Sequence, residues 1–115
     1  MLIKRGDVFY ADLDPIIGSE QGGIRPILMV QNNVENKYSP TLVVLPISST
    51  KKNNMPTHIH ICRSKMLPKD SIVLAEQIRT IDRNRLLRYV GSVSLEIMGK
   101  VDRAVKISIV VKIND

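Results

Sequence analysis

The segment Ile17-Gly18-Ser19-Glu20-Gln21-Gly22-Gly23-Ile24-Arg25-Pro26 gathers three glycines, a hydroxyl, a carboxylate, a carboxamide and one guanidinium into ten residues. Glycines let a backbone approach a ligand closely and present its N–H groups, Gly22 among them. Ser19, Glu20 and Gln21 add short donors and acceptors that suit base edges or phosphate. Arg25 directly precedes Pro26, which restricts it to extended geometry and so sets where its side chain starts. Arginine does not deprotonate in a protein and so is no base, but its planar fork can hold two phosphate oxygens at once. Such a contact favours the negative charge that builds during attack on phosphorus. Taken by themselves these residues fit two roles for Arg25, a phosphate ligand and a structural hairpin arginine. The glycine spacing is neither a P-loop nor a dinucleotide fingerprint.

Other reactive side chains are sparse. His58, His60 and Cys62 alternate along and just beyond Thr57-His58-Ile59-His60-Ile61, on one face of a strand. Three ligands at such spacing on one short strand, with no CxxC or HxxxH, make a poor zinc site. The histidines are therefore expected as a surface pair, and no metal or cofactor is expected. Cys62 is the only cysteine; it forms no intrachain disulfide, fits a reducing compartment, and is expected as a half-buried small hydrophobe.

Charge points outward to a partner. Lys and Arg total 17 against 11 acidic residues, for a net charge of +6 and a pI near 9.7. Lys51, Lys52, Arg63, Lys65 and Lys69 fall in a stretch without any acid, and Arg79, Arg83, Arg85 and Arg88 form a second cluster interrupted by Asp82. Such fields favour a polyanion, nucleic acid first. Aromatic residues at 3% argue against a base-stacking platform of the RRM kind.

The elements that must position these groups are mostly strands. A chain of 115 residues holds one domain, 1–115, with one core. Asp7–Leu13 is rich in β-formers, and Ile27–Gln31 and Leu42–Ile47 are near-continuous apolar runs, as expected of strands buried on both faces. Asn32-Asn33 and Tyr38-Ser39-Pro40 mark the turn between those two runs. Ser71–Ala75 is a further strand, and Tyr89–Val93 a weak one. A short helical turn is expected from Asp82 to Leu86. At the C-terminus Leu95, Met98, Val101, Val105 and Ile109 recur at spacings of three and four, the signature of an amphipathic helix, with Ser94 as N-cap and Glu96 in the first turn. The pattern predicts an α+β, mainly β domain: a small, strongly bent β-barrel or two-sheet domain covered by a C-terminal helix. Open edges in so small a sheet favour cover by a second copy. No apolar run approaches the ~20 residues that span a bilayer, and the N-terminus is charged by Lys4 with no signal-type apolar stretch after it. A cytoplasmic location without membrane contact is the expectation.

Taken together, Arg5-Gly6-Asp7-Val8, Ala11-Asp12-Leu13, Gly18-Ser19-Glu20-Gln21-Gly22-Gly23-Ile24-Arg25-Pro26, Gln31-Asn32, Ser39-Pro40-Thr41, Pro56-Thr57-His58 and Glu76-Gln77-Ile78-Arg79-Thr80-Ile81-Asp82 resemble the MazF/PemK family of toxins, in the expected order along nearly the whole chain. The resemblance is strongest to the family's branch from Gram-positive bacteria. It implies a bent SH3-like barrel with a C-terminal helix, a homodimer, and sequence-specific endoribonuclease activity on single-stranded mRNA, neutralised by a cognate MazE-like antitoxin. It further implies metal-independent attack of a 2′-OH on the adjacent phosphate, leaving a 2′,3′-cyclic phosphate and a 5′-OH. A CcdB-like toxin that binds a topoisomerase, and a non-catalytic nucleic-acid-binding module, are the competing readings. The intact glycine-rich loop with its arginine argues against the first of these.

By the same resemblance Arg25 occupies the family's catalytic arginine position. The second catalytic position, a threonine after the third strand in the Gram-positive branch, falls on Ser48 within Leu45-Pro46-Ile47-Ser48-Ser49-Thr50. Serine keeps the hydroxyl but lacks the methyl that stiffens χ1, and Ser49 or Thr50 takes the role if the register slips. In the PemK branch an acid and a nearby arginine act. Glu76 matches that acid, while Leu74 holds the arginine's place, so Glu76 is read as a substrate contact, a dimer contact or, first of all, a structural residue. Ser19, Glu20, Gln21, Gly22, Asn32, Ser49, Lys51, Lys52, Glu76 and Gln77 complete the candidate RNA contacts, with Lys51-Lys52-Asn53-Asn54-Met55 as the variable specificity loop.

Overall fold

A computed structural model describes residues 2–50 and 54–110. The chain forms β1 (Asp7–Asp12), β2 (Ile24–Met29), α1 (Asn33–Tyr38), β3 (Thr41–Ser48), β4 (His58–Ile61), β5 (Ser71–Leu74), a 3₁₀ turn at Ala75–Gln77, β6 (Arg79–Asp82), a 3₁₀ turn at Arg83–Arg85, β7 (Leu86–Ser92) and α2 (Leu95–Ile109). The strands lie in the order β4-β5-β3-β2-β1-β7, and β6 joins through β3. All described pairings are antiparallel. β4 and β7 do not pair, so the expected barrel is instead an open sheet.

β3 organises it. Its first half pairs with β6 (Thr41 opposite Asp82, Val44 opposite Arg79). Its second half pairs with β5 (Ile47 opposite Val73, Ser48 opposite Ile72). β2 runs along its other side, with Ile27 opposite Pro46. The apolar runs are buried on both faces, as their composition requires. Leu28, Leu45 and Ile47 pack with Ile59, Leu67, Val73 and the α2 residues Met98, Val101 and Ala104. Ile27 and Met29 face the opposite way, onto Phe9, Leu13, Leu42, Val44 and Ile81.

Ser94 Oγ accepts from Ile97 N and caps α2, satisfying one of the free N–H groups at the helix start. The buried stripe is narrower than the periodicity predicts. Leu95 is 91% exposed and Ile109 64%, and the buried residues of α2 are Met98, Val101 and Ala104. The turn expected at Asn32–Pro40 contains α1. Asn32 caps it by accepting from Glu35 N, and the buried Asn36 donates to Gln31 O. Among the described residues no helix is long and apolar enough to cross a membrane.

Candidate active site

The loop between β1 and β2 is held by its own polar groups. Asp14 Oδ1 accepts from Gly23 N at 2.9 Å, and Gln77 Oε1 accepts from Gln21 N at 3.0 Å. Glu20, though exposed, accepts from Ile17 N. A Cβ at position 22 would stand 2.6 Å from Asp14 Oδ1 and 2.9 Å from Ile16, so any larger residue there displaces those side chains. Gly23 follows at φ +73°, a region that side chains disfavour.

This clasp aims Arg25. Its Nε donates to Gly22 O at 2.8 Å, and among the described residues its two terminal nitrogens make no hydrogen bond. Arg25, half-buried, is among the residues lining a cavity of about 320 Å³ with Tyr10, Pro26, Ile47, Ser49, Thr50, Lys69 and Ser71, while its pairing with Ala11 sets its side chain on the sheet face of Ala11 and Ile27, opposite that of Tyr10 and Pro26. The position follows from topology: β2 starts where β3 ends and β5 starts, so three neighbouring strands deliver their termini to one place. Among the described residues its walls include two cationic residues, several hydroxyls and no carboxylate, an environment suited to a phosphodiester.

Ser48, placed by resemblance at the second catalytic position, does not line the cavity. It is 1% exposed, and its Oγ accepts from Thr50 N at 3.2 Å. Side chains alternate along a strand, so Ile47 and Ser49 face the cavity while Ser48 faces away. Extending the β2–β3 register by two residues sets Arg25 opposite Ser48, so their side chains share the other face of the sheet, and among the described residues the Ser48 hydroxyl donates to no acceptor.

Ser19, Glu20, Gln21, Glu76 and Gln77 line a second cleft with Ile17, Ile78 and Arg79. Gly22 contributes its carbonyl to Arg25 instead. Asn32 belongs to neither cleft; it is the cap of α1. Lys51 and Lys52 lie outside the described residues. Glu76 is anchored from behind, with Oε1 accepting from Thr57 Oγ1 at 3.0 Å and Oε2 3.3 Å from His58 Nε2.

That anchoring corrects the expected surface pair of histidines. The 3₁₀ turn at Ala75–Gln77 covers one end of β4, where Ala75 N donates to Thr57 O. The His58 side chain beneath it is 3% exposed, whereas His60 is exposed. Cys62 is exposed rather than half-buried, since it lies just past β4. Among the described residues no three of His, Cys, Asp and Glu are grouped as a metal would need.

The second basic cluster is largely structural. Arg83 donates through Nε and Nη2 to Ser39 O and through Nη2 to Asn36 O. Arg79 donates to Leu13 O, and Arg85 to Asp12 O and Asp14 O. Arg88 sits 5.2 Å over the Tyr10 ring. Two cavity residues, Tyr10 and Lys69, escaped the sequence reading. Lys69 was visible only as one charge in a basic tract, and Tyr10 only as a β-former.

A sequence profile of the family described as PemK-like, MazF-like toxin of type II toxin–antitoxin system matches residues 4–109. The chain is 47% identical over 111 residues to Endoribonuclease EndoA of Bacillus subtilis, covering 95% of this chain and 96% of the relative. It is 49% identical over 110 residues to Endoribonuclease MazF of Staphylococcus saprophyticus, covering 94% and 92%. Among solved structures it is similar to a mycobacterial endoribonuclease in complex with its cognate antitoxin, at a TM-score of 0.77 and 27% identity over 92% of this chain and 93% of that one. The fold is shared with MazF of Deinococcus radiodurans, at a TM-score of 0.79 and 21% identity over 92% and 94%.

Proposed function

The chain belongs to the PemK-like, MazF-like toxins of type II toxin–antitoxin systems, and from that premise we propose that it is an endoribonuclease that cleaves single-stranded mRNA at a short sequence without a metal. The observation that carries this reading is Arg25 at the start of β2, held through Nε by Gly22 O, set by register on the sheet face of Ser48, and with no hydrogen bond to its terminal nitrogens among the described residues.

Attack of the 2′-OH on its own 3′-phosphate passes through a phosphorane with added negative charge. Arg25 holds two non-bridging oxygens of that phosphate and binds them more strongly as the charge grows. A hydroxyl from Ser48, Ser49 or Thr50 donates a further hydrogen bond. Ser49 and Thr50 line the cavity, while Ser48 matches the family's position. The cleft of Ser19, Glu20, Gln21, Glu76 and Gln77 takes the neighbouring bases, and Lys51 and Lys52 add phosphate contacts. We further place the protein in the cytoplasm as a homodimer, which would cover the free β4 and β7 edges, with an antitoxin as its inhibitor.

The test is incubation with a long mixed-sequence RNA in EDTA, followed by mapping of cut positions and end chemistry. Cuts at one short sequence with 5′-OH ends are expected. Activity lost in EDTA and restored by Mg²⁺ or Mn²⁺, or 5′-phosphate ends, overturns the mechanism.

A further inference from the structure

Gly22 O and Gly23 N belong to one peptide unit, and different side chains hold its two ends. The carbonyl accepts from Arg25 Nε at 2.8 Å. The N–H donates to Asp14 Oδ1 at 2.9 Å. The unit is trans, and a trans peptide is planar and stiff, with its N–H and C=O pointing opposite ways. One rigid plane therefore joins the Asp14 carboxylate to the Arg25 guanidinium.

That plane lies between two glycines, where rotation is freest. With no Cβ on either side, the flanking ψ and φ can counter-rotate and turn the whole peptide over. Inversion would set N–H against N–H at Arg25 and oxygen against oxygen at Asp14. The carboxylate opposes that turn, and by accepting from the N–H it also polarises the carbonyl toward Arg25.

Asp14 is itself tied in place, although exposed. Its N donates to Asp12 Oδ1 at 3.1 Å, and its carbonyl accepts from Arg85 Nη1. Leu13 beside it donates to Gly23 O at 3.0 Å and accepts from Arg79 Nη1 at 3.2 Å. Asp14 lines neither cleft of the site, so its route to the reaction is the peptide. Gln77 holds Gln21 N, but that N–H belongs to another peptide unit and leaves the one between Gly22 and Gly23 free to turn.

We propose that Asp14 is a positioning residue of this ribonuclease, setting the Arg25 guanidinium through the Gly22–Gly23 peptide. The role rests on Arg25 acting at the reacting phosphate. Asp14 transfers no proton and touches no substrate group.

The experiment is a double-mutant cycle on an oligonucleotide carrying the mapped cut site. Asp14→Ala should lower kcat about tenfold, the worth of one hydrogen bond to a charged group, with KM little changed. Asp14→Leu, which keeps the shape without an acceptor, should match it. Asp14→Asn, whose carboxamide oxygen can still accept from Gly23 N, should recover most of the rate. In an Arg25→Ala background, Asp14→Ala should cost nothing further. Parental kcat in Asp14→Ala, an equal loss in Asp14→Asn, or losses that multiply in the double variant overturns the proposal.

A second readout needs no activity. The Arg25 Nε–H resonance of the free protein, assigned by its loss in Arg25→Ala, should exchange with water faster in Asp14→Ala and Asp14→Leu but not in Asp14→Asn. Unchanged exchange in Asp14→Ala and Asp14→Leu overturns the proposal. If Arg25→Ala cleaves at the parental rate, the active-site reading fails, and this exchange measurement still decides whether Asp14 holds Arg25.

Discussion

Arg25 and Arg83 are both half-buried arginines that donate to backbone carbonyls, yet they leave different things undone. Arg83 gives Nε and Nη2 to Ser39 O and Nη2 to Asn36 O, tying the end of α1 to the turn after β6. Arg25 commits only Nε, to Gly22 O, within its own loop. Its two terminal nitrogens make no hydrogen bond among the described residues, and register places them on the sheet face of Ser48. The same side chain is a brace in one region and a ligand arm in the other. The difference lies in how many of its five donors the fold has already satisfied. Net charge, which counts both alike, says little about where a polyanion binds.

The comparison breaks most visibly at Arg25. Arg25→Ala should lose at least 10²–10³-fold in cleavage rate, on the order of one preorganised donor to a developing charge. Much of its RNA affinity should remain, since other cations still hold the strand. Arg25→Lys should rescue poorly, because a point charge cannot reproduce a two-pronged contact. Single-turnover cleavage of the mapped oligonucleotide measures both. A folded Arg25→Ala protein that cuts at the parental rate would remove it from the reaction.

A smaller effect sharpens the assignment of the hydroxyl. Alanine at Ser48, Ser49 and Thr50 in turn should leave one variant slowed about tenfold, the worth of one neutral hydrogen bond. Ser48 shares the sheet face of Arg25, which makes it the expected residue, with Ser48→Thr active. A loss confined to Ser49→Ala or Thr50→Ala would instead put the reacting phosphate on the face of Ile47.

The smallest effect on rate belongs to Arg83. Arg83→Ala should leave cleavage per folded molecule unchanged while lowering stability by about 1–3 kcal/mol, because two carbonyls lose their partner. Urea unfolding with a parallel rate measurement reads both. A large rate loss at full stability would place Arg83 in the RNA path and undo the contrast.

Much of this was legible along the chain. The two-faced apolar runs of β2 and β3, the capped helix α2 and the glycine-rich loop are encoded by neighbours within a few residues, where periodicity and turn chemistry act directly. The resemblance carried by that loop and by Glu76–Asp82 led to the family. α1 was missed because Asn33–Tyr38 has weak helix propensity; its support comes from Asn36 donating to Gln31 and from Arg83, which lies beyond β6.

What the amino-acid sequence determined by itself was therefore the set of elements, their polarity and the family to which the chain belongs. Tertiary structure alone decided which reactive side chains meet. Ser48 and Ser49 are adjacent residues, and only the pairing of β3 with β2 and β5 orients one toward the cavity and the other away. Lys69 and Arg25 are brought to one cavity only because β3 lies between β2 and β5. His58 is buried because the turn at Ala75–Gln77 folds back over it. Each outcome depends on contacts between segments far apart in the chain, and local propensity and periodicity carry no information about those.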